Sequence, residues 1–256
     1  MKEQSAEQRT CLQVALERLE ERSIKESTYV SYLKTLRLLN LEDFPYGKLS
    51  PRILSQRLST VLTDSTRRKH AINLRATLGV KIPVAKAKQK EYELPTVAEL
   101  HQTFEDSVYR IHAFTMLYAG ARISESLLKQ PIKGNVITFD RQRVHLTYEI
   151  TSPKTSGPVV VPEWFAREYQ ATDPKDFERG HPTVYKGIRR RTLKMLGVEM
   201  NPHMLRHAFC MALVDMGANP RILMAQMRHQ SVEVSLQFYT QARNTDIQAL
   251  MERFGK

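Results

Sequence analysis

Apolar residues recur at helical spacing through the first third of the chain. Leu12, Leu16 and Leu19 form one stripe, and Ser5 with Gln8 ahead of them has capping-box spacing, which predicts a first helix. Tyr29, Leu33, Leu36 and Leu39 predict a second helix from about Ser27. Ser50-Pro51, an N-cap followed by a first-turn proline, opens a third that carries Ile53, Leu54, Leu58, Val61 and Leu62. A fourth is expected over residues 64–78, with Ala71, Leu74 and Leu78 inward, Arg68 and Arg75 flanking them, and Gly79 at its end.

The pattern then breaks. IPVAKAKQKEYELP has two prolines, three lysines and little periodicity, as an exposed linker would. Thr96 and Glu99 restart a helical unit with a second capping-box pattern, and helices are expected near 97–106, 109–119 and 122–129. NVITF, RVHLTYEI and PVVVP are β-prone, separated by Asp140-Arg141 and by SPKTSG, and predict a small antiparallel sheet. From Glu163 the pattern is helical again, with Asn219-Pro220 and Ser231 as helix starts. The expectation is a mainly α chain with a small antiparallel β-sheet in its second half. It divides into a helical domain over 1–83, a linker over 84–94 and a larger mostly α domain over 95–256.

Composition narrows the class. Hydrophobic residues make up 41% of 256, enough for a folded core. No run of about 18 apolar residues predicts a membrane span. The opening MKEQSAEQRT lacks the apolar core of a signal peptide, and Cys11 and Cys210 alone make no disulfide framework, so a cytoplasmic location is expected. The formal charge is +12, and residues 27–90 carry 13 basic against 3 acidic residues. A field concentrated there favours a polyanion. The basic residues are spread over several helices, which makes nucleic acid a better partner than an anionic membrane.

Chemistry-bearing residues gather in the second domain. NPHMLRHAF places His203, Arg206 and His207 on one side of a helix. His229 and Tyr239 follow, Arg122 precedes in AGARISESLL, and Lys154 lies in the turn ITSPKTSG. The three histidines invite a metal reading, but Met204 stands where H-E-x-x-H needs Glu and no cysteine pair is near, so no metal and no cofactor is expected.

Taken together, these positions resemble the tyrosine recombinases, the phage-integrase and Xer-like family. Ala119-Gly120-Ala121-Arg122-Ile123-Ser124-Glu125 is similar to that family's T-G-x-R-x-x-E, His203-Met204-Leu205-Arg206-His207 to its H-x-L-R-H, and Met227-Arg228-His229 to its L-G-H. Arg228 replaces the usual glycine, and Tyr239 follows His229 by ten residues where about nine is usual. The resemblance implies a core-binding domain, a catalytic domain of the DNA breaking-rejoining fold, and a small integrase without an arm-binding domain.

It also implies roles. Arg122 and Arg206 would hold the scissile phosphate, His229 would donate to it, Tyr239 would be the nucleophile, His203 its base, and Lys154 the acid for the departing 5′ oxygen. Glu125 would order the Arg122 helix, and His207 would support the pocket. Arg67, Arg68, Lys69 and Arg75 would face DNA. The implied activity is site-specific cleavage and rejoining through a 3′-phosphotyrosyl link, without ATP. The partners would be double-stranded DNA core sites and three further copies in a tetramer assembled from monomers, with Ile247, Leu250, Met251 and Phe254 of the terminal segment as connector. Two other readings are DNA relaxation by a type IB topoisomerase and non-catalytic DNA binding. The usual lysine of such topoisomerases is His203 here, and every catalytic residue type is retained.

Overall fold

The computed structural model describes residues 9–61, 63–83, 94–145 and 147–239. The chain divides into two compact units, residues 1–90 and 91–256. The expected linker falls largely on residues 84–93, and the expected Ser5–Gln8 cap and the 240–256 connector fall on residues 1–8 and 240–256, all outside the described residues.

The first unit is helical. Its elements are α1 (Cys11–Glu20), α2 (Glu26–Leu38), a 3₁₀ turn (Tyr46–Lys48), α3 (Pro51–Ser59) and α4 (Asp64–Leu78). The box that starts α1 is Thr10 with Gln13. Its buried face is Cys11, Val14, Ala15 and Leu19, so Leu12 and Leu16 lie at the edge of the core instead of its centre. Ser50 caps α3 at the Ile53 N–H, as a serine before proline should. α2 and α4 meet across a polar seam: Asn73 donates to Thr35 Oγ1 at 2.8 Å, and Thr35 Oγ1 lies 2.9 Å from His70 Nδ1. Burial lowers the His70 pKa, favouring the neutral ring that this seam can accommodate.

The second unit contains α5 (Val97–Phe104), α6 (Arg110–Ala119), α7 (Ile123–Ser126), β1 (Ile132–Lys133), β2 (Val136–Phe139), β3 (Gln142–Arg143), β4 (Ile150–Thr151), β5 (Gly157–Val160), α8 (Glu163–Ala171), α9 (His181–Leu196), α10 (Pro202–Asp215), α11 (Pro220–Met227) and α12 (Val232–Tyr239). α6 is apolar almost all round and runs through the core, with α10 packed along it. Strands β1, β2 and β5 form an antiparallel sheet in that order, with Ile137 opposite Val159.

Two expectations change. RVHLTYEI is no single strand: β3 and β4 are the arms of a short two-stranded ribbon. Val144 N–H bonds Glu149 O at 2.8 Å, and Tyr148 adopts φ 60°, so the middle of the segment turns despite its β-prone residues. α7 spans four residues and not eight. Gln130 Nε2 donates to the carbonyls of Glu125 and Arg141, which draws the chain off toward the sheet.

Gly187 lies buried in the middle of α9, where a Cβ would come within 2.2 Å of the Tyr109 ring. Alanine normally stabilises a helix interior by about 1 kcal/mol over glycine. Here overpacking, at about 1–3 kcal/mol, opposes that gain. Gly187→Ala is expected to lower the thermal unfolding midpoint; an unchanged or raised midpoint would show that Tyr109 yields freely.

Candidate functional site

Gly120 ends α6 at φ 57°, a left-handed turn, and swings Arg122 into the N-cap position of α7. Glu125, one turn on and fully buried, reaches back. Its Oε2 accepts the Arg122 backbone N–H at 2.8 Å, and its Oε1 accepts Arg122 Nη1 at 2.9 Å. A second arginine arrives from the far end of the unit. Arg228 Nη2 donates to the same Oε2 at 2.8 Å, with its guanidinium 4.0 Å over the Phe139 ring. Arg228 closes α11 at φ 51°, which costs a residue with a Cβ roughly 1–2 kcal/mol relative to glycine.

Arg206 projects from α10 and is buried. Its two Nη groups donate to the carbonyls of Gly120 and Met227, tying the Arg122 turn to the end of α11. Burial and the charges of Arg122 and Arg228 push its pKa down. A guanidinium still keeps its proton near neutrality, so this pressure acts as a pull for a counter-anion. Three guanidinium groups thus gather near one carboxylate, Glu125, and two of them, Arg122 and Arg228, bond it. His203 and His207 lie along the same helix with rings 4.8 Å apart, and His229 Nδ1 sits 2.9 Å from Ser235 Oγ. Among the described residues no three of His, Cys, Asp and Glu stand together as a metal set.

The structure gathers Arg122, Glu125, His203, Arg206, His207 and His229, but not the Tyr239 hydroxyl. That hydroxyl donates to the Ala218 carbonyl, between α10 and α11. Phe238 takes the place beside the histidines, its ring stacked on His229 at 5.9 Å and 5.4 Å from His207. The longer His229-to-Tyr239 spacing explains this, since nine residues after His229 comes Phe238. Lys154 is exposed in the β4–β5 turn, three residues before Gly157, which packs beside Arg228.

In the first unit Lys69 and Arg75 are exposed and Arg68 is half-buried on α4. Arg67, expected to face DNA, instead spends its donors on the Leu58 and Val61 carbonyls and on Asp64, joining α3 to α4. Sequence reasoning missed Arg228 and Phe238 as members of the pocket. A large charged residue at a glycine position was the one available signal for Arg228.

Residues 175–245, which carry the three histidines, Arg206 and Tyr239, match the model described as "Phage integrase family". The chain is 27% identical over 206 residues to the transposase from transposon Tn916 of Enterococcus faecalis, covering 66% of this chain and 50% of that protein. The same values hold for the transposase from transposon Tn1545 of Streptococcus pneumoniae. It thus spans about half the length of the curated relatives it matches. The fold is similar to that of the Tn1549 transposon integrase in complex with transposon right end DNA, with a TM-score of 0.74, 19% identity and coverage of 97% and 100% of the two chains. A lambda integrase dimer bound to a COC′ core site gives 0.61 at 15% identity, with 89% and 94% covered. What these likenesses show is a resemblance to the phage integrase family over residues 175–245 and a fold shared with the transposon and lambda integrases.

The pocket histidines are held neutral. Burial first, then the charges of His207, Arg206 and Arg122, lower His203 to about 4, although the residue as a whole is exposed. Burial, then Arg206 and Arg122, lower His229 to about 4. The unfolded chain, with ordinary histidines near 6.5, binds more protons than the folded one between those values. Folding stability is therefore expected to fall as pH drops from about 6.5 toward 4. Urea unfolding of the wild type and of His203→Asn with His229→Asn checks this: the double variant should show a shallower decline, and an identical decline would place the titration elsewhere.

Proposed function

We propose that this chain is a site-specific DNA recombinase that cuts and rejoins duplex DNA through a covalent link to Tyr239. The observation that carries the reading is the surplus of cationic donors around Arg122 and Arg206, walled by neutral histidines. Attack on a phosphodiester spreads added negative charge over its nonbridging oxygens, and fixed guanidinium donors stabilise it. In this reading Arg122 and Arg206 hold the phosphate and His229 donates to it. The Tyr239 oxygen bonds to phosphorus, its proton passes to His203, the bond to the 5′ oxygen breaks, and Lys154 protonates that oxygen. The ester energy stays in the phosphotyrosyl bond, so rejoining is the reverse step and needs no ATP.

Two conditions follow. His203 at about 4 is a poor base by itself, but an entering phosphate anion offsets the arginines and raises it. Tyr239 must also leave the Ala218 carbonyl. One residue along a helix is about 100° of rotation, so α12 would turn by about that much to bring its hydroxyl where Phe238 now lies. Strand exchange between two duplexes needs four such sites. We therefore assign the active form to a homotetramer on paired core sites, assembled from monomers at the DNA of the cytoplasmic nucleoid. Residues 1–83 serve as core-binding domain and 95–256 as catalytic domain.

A nicked suicide duplex tests the chemistry. The wild type should accumulate a covalent adduct at Tyr239. Tyr239→Phe should form none while binding DNA as before. Arg122→Ala and Arg206→Ala should each lose about a hundredfold or more in cleavage rate with little loss of affinity. Binding without any adduct would support the second reading, a non-catalytic DNA-binding module, which the Tyr239–Ala218 contact favours.

The salt dependence of binding tests the first unit. Each lost phosphate contact flattens the slope of log affinity against log salt by about one. Arg68→Ala with Arg75→Ala should flatten it. Arg67→Ala should leave the slope alone and lower stability, because its donors are used within the unit. An unchanged slope in the double variant would place those arginines away from DNA.

A further inference from the structure

Arg228 closes α11 in a left-handed conformation that glycine adopts without strain, and nothing in the turn itself calls for arginine. Its side chain is nonetheless only 3% exposed. It runs beside Gly157, and its guanidinium lies over Phe139. Its carboxylate contact falls on Glu125, whose other oxygen holds Arg122. Nε and Nη1 of Arg228 are buried without a hydrogen-bond partner among the described residues. So strongly desolvated a cation persists where a specific charge needs it.

A buried carboxylate that faces one arginine cancels that arginine's charge. Facing two, it cancels one and leaves the other. With Arg206 alongside, the cluster keeps two formal positive charges; without Arg228 it would keep one, and Glu125 would be free to draw Arg122 fully onto itself. Arg228 is too deeply enclosed to touch DNA.

We propose that Arg228 is a positioning residue for Arg122: it takes up the charge of Glu125, so that Arg122 keeps its own for a DNA phosphate. This rests on the reading that Arg122 binds the scissile phosphate. It also explains why a strained backbone position holds arginine.

The experiment is a double-mutant cycle read as the rate of adduct formation on the nicked suicide duplex, with DNA affinity measured in parallel. Arg228→Gly relieves the backbone and is expected to slow cleavage about tenfold or more, with affinity within about twofold of wild type. Arg228→Lys, which restores the charge, should recover most of the loss. In a Glu125→Gln background Arg228→Gly should cost little, because the charge it balances is gone. Should Arg228→Gly not fold, Arg228→Asn, which also tolerates the left-handed turn, takes its place in the cycle. Wild-type cleavage by Arg228→Gly, or an equal loss in both backgrounds, overturns the proposal. No adduct from the wild type rejects the recombinase reading beneath it, and this proposal with it.

Discussion

Glu125 is buried in a protein interior where a lone carboxylate would be intolerable, and it is bound by two guanidinium groups from opposite ends of the unit. That shared carboxylate sets the geometry around it. It fixes the first turn of α7, anchors the end of α11, and draws β2 into the cluster through Phe139 under Arg228. Arg206 laces the same turns together through the Gly120 and Met227 carbonyls. The pocket is thus built by elements far apart in the chain, and its cationic surplus is part of its construction. Buried ion pairs of this sort seldom add net stability. Their retention here is better explained by what the leftover charge attracts.

The same surplus links the pocket to its histidines. Burial and the cationic wall keep nearby imidazoles neutral, so the pocket disfavours further positive charge while it favours an anion. In the proposed function, an entering phosphate would relieve both pressures at once. The position of α12 fits such a poised state. Phe238 packs on His207 and His229, and the Tyr239 hydroxyl is satisfied by a backbone carbonyl.

Much of this was legible in the sequence because the relevant signals are local. Ser50-Pro51, Gly79 and the Thr96–Glu99 box mark helix ends through contacts within three or four residues, and α3, α4 and α5 begin or end there. The spacing of His203, Arg206 and His207 puts them on one helix face whatever surrounds them. What escaped depends on distant partners. RVHLTYEI has strand propensity throughout, yet a left-handed Tyr148 and pairing of its two ends fold it into a ribbon. Arg67 has the composition of a DNA contact, but neighbouring helix-end carbonyls claim its donors. Arg228 meets Glu125 across 103 residues of sequence, a contact no local pattern encodes.

We propose that this cluster is a phosphate site created by uncompensated buried charge. Titrating the DNA-free protein with sulfate while following thermal unfolding tests it most directly, with Arg206→Ala measured alongside. A tetrahedral anion that binds the folded pocket raises the unfolding midpoint along a saturable curve, whereas general salting effects do not saturate. A saturable rise is expected in the wild type and its loss in Arg206→Ala. A non-saturating rise of equal slope in both proteins would contradict it.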